Sequence, residues 1–379
     1  MSPTPKKGRG ASGKKVRVAF RRNRSKPARI KDWTTQARGT EDNELDTLRS
    51  ESVVAKGDLS RHRTVIVADG DAAIDPGLRT GTVVAMRGLY ADVDDGDRVL
   101  SCTIRRVLRT RRIKERHPVT VGDHVWFSLG DYRAGVVTEG VIEKVADRRG
   151  VLQRRSGKRV HTIVANVERA LIVASAADDP PKPHLIDRYI VAALAGGIKP
   201  VICMNKADLD EDGRGALLLE RYVEIGYPTL LTSVVDGRGI DDLRALLRGG
   251  ATVIAGQSGV GKSALLNVVQ PGLNLRIGDI IEQSGKGRHT TTTARLIHLE
   301  IGGYVVDTPG IRTLDLSPIG RYEFELYFVE FLPHVPHCKF RDCGHTHETG
   351  CHVKAAVEAG DIHPERYESY VRMMEETRD

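Results

Sequence analysis

Aromatic residues are scarce in this 379-residue chain, at 5% of the total, so its cores must be built from aliphatic side chains. With 40% hydrophobic residues these suffice for an ordinary soluble protein of two or three domains. Five cysteines are too few for a disulfide framework, and three of them fall within 338–351, which predicts a metal site in a reducing compartment. No apolar run approaches the roughly 20 residues of a membrane-spanning helix, and no continuous apolar stretch follows the N-terminal basic residues as a secretory signal requires. The expectation is a cytoplasmic protein with no membrane partner. Acidic residues are missing from residues 1–31, which carry twelve Lys or Arg. Of the chain's 58 basic residues, 46 remain beyond that stretch, against 50 acidic ones. The net charge of +8 thus belongs to an N-terminal arm on a near-neutral body. Such arms bind polyanions through phosphate contacts, or serve as solubilising tails.

Composition and periodicity divide the chain into five stretches. Residues 1–40, rich in Lys, Arg, Gly, Ser and Pro, read as a disordered basic arm, and 41–78 as a linker with a possible helix over Glu41–Lys56. Residues 79–150 hold short alternating runs at Gly81–Met86, Leu89–Val93, Val99–Ile104, His124–Ser128 and Glu139–Glu143, separated by Asp/Gly turns. That texture predicts a small closed β-barrel of the oligonucleotide-binding (OB) kind. Its basic segment Arg105–Arg116 suits either an RNA backbone or a solvated hairpin. Over 160–318 apolar strands at Ala170–Ala174, Pro200–Met204, Thr229–Thr232 and Ala251–Ala255 alternate with helical patterns near 185–195, 213–225, 240–247 and 262–268. Alternation of this kind predicts a mostly parallel sheet covered on both faces. A hairpin at Arg295–Ile301 and Tyr304–Val306 extends it, and residues 319–379 combine a Cys/His cluster with two helices.

Gly256-Gln257-Ser258-Gly259-Val260-Gly261-Lys262-Ser263 lies between the strand Ala251–Ala255 and a helix opening at Ala264. Strand, glycine-rich turn and helix are the setting a phosphate-binding loop requires. Backbone N–H groups turn inward around a phosphate, Lys262 reaches the β- and γ-phosphates, and the Ser263 hydroxyl binds Mg²⁺. Asn205-Lys206-Ala207-Asp208 follows the strand Val201–Met204. An aspartate at position 208 can accept both N1–H and N2–H₂ of guanine, which makes GTP, rather than ATP, the expected ligand. Thr232-Ser233-Val234 at the end of the next strand can supply a backbone donor to the guanine O6. Asp307-Thr308-Pro309-Gly310 has the form D-x-x-G, in which the carboxylate holds Mg²⁺ through water and the Gly310 N–H meets the γ-phosphate. Between these motifs the run Thr290–Thr293 suits a switch whose hydroxyl completes the Mg²⁺ shell, with Thr291 favoured among its neighbours.

Ordinary GTPases carry the guanine motif last. Here it comes first, followed by the phosphate loop, the threonines and D-x-x-G. The order is a circular permutation, and it leads the D-x-x-G switch directly into the Cys/His segment. Ile311 stands where a glutamine often orients the attacking water, which predicts slow intrinsic turnover and activation by a partner. His289 is the in-chain candidate to replace that glutamine, with Arg288 as a charge stabiliser. Cys338, Cys343 and Cys351 with one imidazole fit a closed tetrahedral zinc site, for which His337, His345, His347 and His352 compete.

From about residue 79 onward these motifs, together with Asn166-Val167, Leu185–Ile190, Gly287–Thr292, Cys338–His345, Gly350-Cys351 and Arg366–Tyr370, resemble the ribosome small-subunit-dependent GTPase A family (RsgA/YjeQ). The resemblance implies an OB-fold barrel, a circularly permuted P-loop GTPase and a small α-helical zinc-binding domain with His345 as its histidine ligand. It implies structural Zn²⁺, Mg²⁺ with GTP, and a monomer that acts late in maturation of the 30S ribosomal subunit and contacts 16S rRNA. Hydrolysis stimulated by that subunit would release the protein itself or another maturation factor. The alternative is a GTP-gated RNA-binding placeholder whose hydrolysis is incidental.

Overall fold

The computed structural model describes residues 13–19, 62–68, 75–105, 108, 118–130, 139–156, 159–177, 182–273, 294–307 and 319–376. Met1–Pro76 and Gly77–Asp379 form two compact units. In the first, β1 (Gly13–Ala19) pairs antiparallel with β2 (His62–Ala68), two strands that the basic composition hides. The proposed linker helix lies outside the described residues.

In the second unit five strands close a barrel: β3 (Arg79–Arg87), β4 (Tyr90–Asp94), β5 (Val99–Ile104), β6 (His124–Leu129) and β7 (Gly140–Val145). Their order is β3-β4-β5-β7-β6, and β6 returns to β3. The pairing of β5 with β7 is parallel and the others are antiparallel, as in a Greek-key OB barrel. Alternate residues point inward, so Val83, Val93, Leu100, Cys102, Phe127 and Ile142 form a core belonging to the barrel alone. Most of the basic segment 105–116 falls outside the described residues.

A hairpin unforeseen from sequence, β8 (Val151–Ser156) with β9 (Arg159–Ala165), leads into the second sheet. The strands of that sheet are β10 (Arg169–Ser175), β11 (Lys199–Asn205), β12 (Thr229–Leu231), β13 (Ala251–Ala255), β14 (Arg295–His298) and β15 (Tyr304–Asp307). In the order β12-β11-β10-β13-β15 all neighbours are parallel, and β14 adds an antiparallel edge. Helices α1 (Pro183–Ala195), α2 (Arg214–Glu224), α3 (Ile240–Leu247) and α4 (Lys262–Val269) cover it. The near-continuous apolar run of β10 reflects this double burial: Leu171 and Val173 join the α3/α4 core, while Ile172 joins the α1/α2 core. Chain order runs outward from β10 through β11 to β12, then returns to the other side of β10 as β13. That reversal opens a crevice at the carboxyl ends of β10 and β13, the usual ligand position in open α/β sheets.

Barrel and sheet meet at two seams. Asn166, at φ +55°, donates from Nδ2 to Gly122 O at 2.8 Å. Gly122 sits so close to the neighbouring chain that a Cβ would lie 1.9 Å from Ala165 O, and its φ of +86° also favours glycine. The second seam pairs Arg295 of β14 with Ala85 of β3, beside a hydrogen bond from the Tyr304 hydroxyl to Asp94 Oδ2 at 3.0 Å.

The C-terminal segment, including α5 (His352–Ala359) and α6 (Pro364–Glu376), does not build a core of its own. Phe324, Phe328, Phe331, Tyr370 and Met373 join the same cluster as Ile186, Ile190 and Tyr222 of the sheet's helices. Residues 319–376 therefore share a core with the α/β body.

Candidate nucleotide site and metal centre

The sequence motifs converge at the carboxyl ends of the parallel strands. Ala255 ends β13, Asn205 ends β11 and Asp307 ends β15. Gly256, Gly259 and Gly261 all have positive φ, at +145°, +86° and +97°. At Gly256 a Cβ would meet Val173 O at 2.2 Å, and at Gly261 it would meet Asn205 Nδ2 at 2.3 Å. The glycines thus permit both the turn and the close approach of β10 and β11. Lys262 is buried at the first turn of α4, and its Nζ donates to Gly256 O at 2.9 Å and to Gln257 O at 2.5 Å. Burial lowers its pKa. Ser263 is buried beside it, at the amino end of α4 where helix N–H groups favour an anion.

The guanine motif is physically tied to this loop. Asn205, 2% exposed, donates from Nδ2 to Val260 O at 2.8 Å, while its Oδ1 accepts from the Thr232 hydroxyl at 3.1 Å. Lys206 takes a left-handed conformation (φ +62°), and the Ala207 N–H donates to Thr232 O at 3.0 Å. Asp208 is half-buried, and its Oδ1 accepts from the Ser233 hydroxyl at 2.6 Å. Thr232 N–H donates to Met204 O and Ser233 N–H to Arg238 O. Both backbone donors are used within the fold, so the O6 donor expected of this turn is neither of them. The Ser233 side chain instead aims the Asp208 carboxylate. Thr291, His289 and Gly310 lie outside the described residues, as do Arg288 and Ile311; of Asp307 only the backbone position is described.

Cys338, Cys343, His345 and Cys351 come together with their ligand atoms all within 4.8 Å of one another. His345 Nδ1 lies 3.6 Å from Cys338 Sγ and 3.4 Å from Cys351 Sγ, and Cys338 Sγ lies 4.0 Å from Cys351 Sγ. Of the competing histidines, His347 is exposed and hydrogen-bonds Thr346, while the rings of His337 and His352 lie 5.6 Å apart outside the cluster. His345 Nε2 donates to Glu325 Oε2 at 2.8 Å. A proton held at Nε2 leaves the Nδ1 lone pair facing the thiols, the arrangement that metal-bound histidines use. Burial pushes the Cys343 thiol up to about 12, reinforced by its cysteine neighbours. Three sulfurs and an imidazole nitrogen this close together are a donor set that fits a divalent cation such as zinc. Glu325 was invisible to sequence reading, because it sits 20 residues from its histidine with no spacing rule linking them.

Comparison with known proteins agrees with this geometry. The RsgA GTPase family profile matches residues 145–317. The chain is 40% identical over 304 residues to the small ribosomal subunit biogenesis GTPase RsgA of Chlorobaculum tepidum, covering 78% of this chain and 97% of that one. The chain belongs to the RsgA GTPase family. By that membership it is a GTP hydrolase. The RsgA of Moorella thermoacetica is similar at 42% over 296 residues, covering 78% and 96%. Two solved structures resemble the fold. YjeQ from Thermotoga maritima has a TM-score of 0.65 and 37% identity, over 79% of this chain and 98% of that one. YloQ, described as a circularly permuted GTPase, has a TM-score of 0.61 and 32% identity, over 80% and 96%. The permuted order read from the motifs agrees with the description of YloQ, and about a fifth of this chain extends beyond these alignments.

Proposed function

We propose that this GTPase acts in late maturation of the small (30S) ribosomal subunit. It holds GTP on Gly256–Ala264, reads guanine through Asp208, and hydrolyses the nucleotide when the immature subunit and its 16S rRNA engage it. Hydrolysis then releases the protein or a neighbouring maturation factor. The observation that carries this reading is the Asn205–Val260 hydrogen bond, which joins base recognition to phosphate binding in a chain whose relatives are named for small-subunit biogenesis. Ser263 and Thr291 are the proposed Mg²⁺ ligands, and Asp307 and Gly310 the second switch. His289 takes the place of the water-orienting glutamine, with Lys262 and Thr291 completing the machinery. Zn²⁺ is the proposed ion of the Cys₃His centre, where four protein ligands leave no open position and the role is structural. The protein works in the cytoplasm as a monomer, with the basic N-terminal arm as an added rRNA contact.

Single-turnover GTP hydrolysis with and without 30S subunits tests this reading. Acceleration by the subunit is the expected outcome. Binding of the subunit without acceleration would instead favour the placeholder reading, which Ile311 motivates.

A further inference from the structure

One residue at the second seam grips both bodies at once. Tyr304 opens β15, and its backbone N–H donates to Gly250 O of the α/β body at 2.8 Å. Its hydroxyl donates to Asp94 Oδ2 of the barrel at 3.0 Å. The residue before it is held as well: at Gly303 a Cβ would meet Leu247 O at 2.5 Å. Burial, with the hydrogen bond and charge of Asp94, pushes the Tyr304 hydroxyl up to about 12, so it remains a donor across the neutral range. Its ring packs edge-on against His298, the residue opposite it on β14, with centres 5.2 Å apart. Few apolar contacts duplicate this grip. Among the described residues only β3 of the barrel strands reaches the α/β cores, through Val84 and Met86. The far end of β15 is Asp307, the D-x-x-G aspartate. It stands opposite Arg295 of β14, and Arg295 in turn stands opposite Ala85 of β3. A strand rises about 3.3 Å per residue, so roughly 10 Å of stiff backbone separates the barrel's grip from the switch aspartate.

We propose that Tyr304 is a positioning residue for the GTPase reaction: by holding Asp94 it fixes β15 against the barrel and so sets where the strand delivers Asp307. The inference rests on the reading of Asp307 as a Mg²⁺-holding switch residue and adds the barrel as the element that aligns it. Mg²⁺ demands near-ideal octahedral geometry, so a carboxylate that holds the ion or its water must be placed to within a fraction of an ångström. A hydrogen bond three residues away on the same strand is close enough to pass a movement of the barrel to that carboxylate. The bond is also reachable from outside. Tyr304 and Asp94 form part of the wall of an open cleft of about 340 Å³, with Thr80, Thr82, His124 and Trp126. Tyr304→Phe therefore removes a hydrogen bond without opening a sealed cavity.

The test uses the full-length, zinc-loaded protein carrying a fluorescent, non-hydrolysable GTP analogue, whose release is followed as Mg²⁺ is titrated. GTP turnover is measured over the same Mg²⁺ range. Tyr304→Phe should raise the Mg²⁺ concentration that half-suppresses release by about three- to tenfold, a share of what a hydrogen bond to a charged group is worth. Turnover should fall where Mg²⁺ is limiting. Asp94→Ala should match it, and the double variant should be no worse than either single one. Asp307→Asn, the reference for the site itself, should raise the Mg²⁺ requirement further. A Tyr304→Phe protein with a lowered urea midpoint but the parent's Mg²⁺ requirement would overturn the inference, leaving the bond as a fastening between barrel and sheet. Effects of Tyr304→Phe and Asp94→Ala that add would overturn the route through Asp94. If Asp307→Asn leaves the Mg²⁺ requirement unchanged, the reading of that aspartate fails and the inference with it.

Discussion

The last sixty residues are fastened by two centres that solve the same problem with opposite chemistry. The thiol centre gathers Cys338, Cys343, His345 and Cys351 with their ligand atoms within 4.8 Å of one another, an arrangement that could hold a metal ion. The other centre is complete in itself. Arg366 of α6, buried, donates from Nη1 to Asp187 Oδ1 of α1 at 2.6 Å and from Nε to Glu330 Oε1 at 2.6 Å. Tyr222 of α2 donates to the same Asp187 oxygen at 2.7 Å, and the guanidinium lies 4.6 Å from the centre of the Phe328 ring. Asp187 Oδ2 has no hydrogen-bond partner among the described residues, so the knot tolerates little further loss. The contrast separates two tasks. A bound ion would tie together the loops around the cysteines, while the knot joins α6 to α1 of the α/β body.

Removing the ion should have the largest effect, because in small zinc modules metal binding supplies most of the folding free energy, about 10–16 kcal/mol in finger peptides. Chelation should raise amide exchange over 338–351 to nearly unstructured rates while 199–273 stay protected. The comparison holds only if α6 also keeps its protection; melting of α6 together with the cysteine loops would make the two centres one. Next is Arg366→Met, which strands Asp187 and Glu330 without their cation and should cost about 3–5 kcal/mol in urea unfolding. Bound zinc per folded chain should not change. Glu325→Gln should act on the ion alone, lowering zinc affinity about 10–100-fold in competition with a chromophoric chelator, with little change in the unfolding of the metal-loaded protein. The smallest effect expected is at Glu348. Burial would raise its pKa, but backbone N–H groups of Gly344, Thr346 and His347 outweigh that and hold it at about 2, against 4.5 unperturbed. A depressed carboxylate pKa contributes stability above the unfolded value and loses it as pH falls through the folded one. The stability difference between parent and Glu348→Gln should therefore be constant above about pH 4.5 and shrink to nothing near pH 2.

Local chemistry was legible in the sequence and cross-chain chemistry was not. The phosphate loop and Asn205–Asp208 are contiguous motifs at strand ends, and the strands and helices of the sheet follow from apolar runs and periodicity. The bond that unites the two motifs joins residues 55 apart, and no spacing rule announces it. The β8–β9 hairpin was missed because Arg154, Arg155, Lys158 and Arg159 interrupt its apolar alternation. Leu185–Ile190 and Arg366–Tyr370 were legible as helical patterns and as family text but not as partners; folding shows that they contribute the two ends of one ion pair, Asp187 and Arg366. The shared core of residues 319–376 escaped for the same reason, since a helix's apolar face does not say which neighbour it will cover.

The distance between Asp187 and Arg366 along the chain, 179 residues, also sets a clock. At about 5–20 residues per second, a ribosome needs roughly ten to thirty-five seconds to add the cation after the carboxylate has been made. During that interval α1 carries a carboxylate whose partner does not yet exist, beside Ile186 and Ile190 whose cover of Phe328, Phe331 and Tyr370 is still unsynthesised. Until then the α1 face bearing Ile186, Asp187 and Ile190 lacks the side chains that share its core in the finished fold.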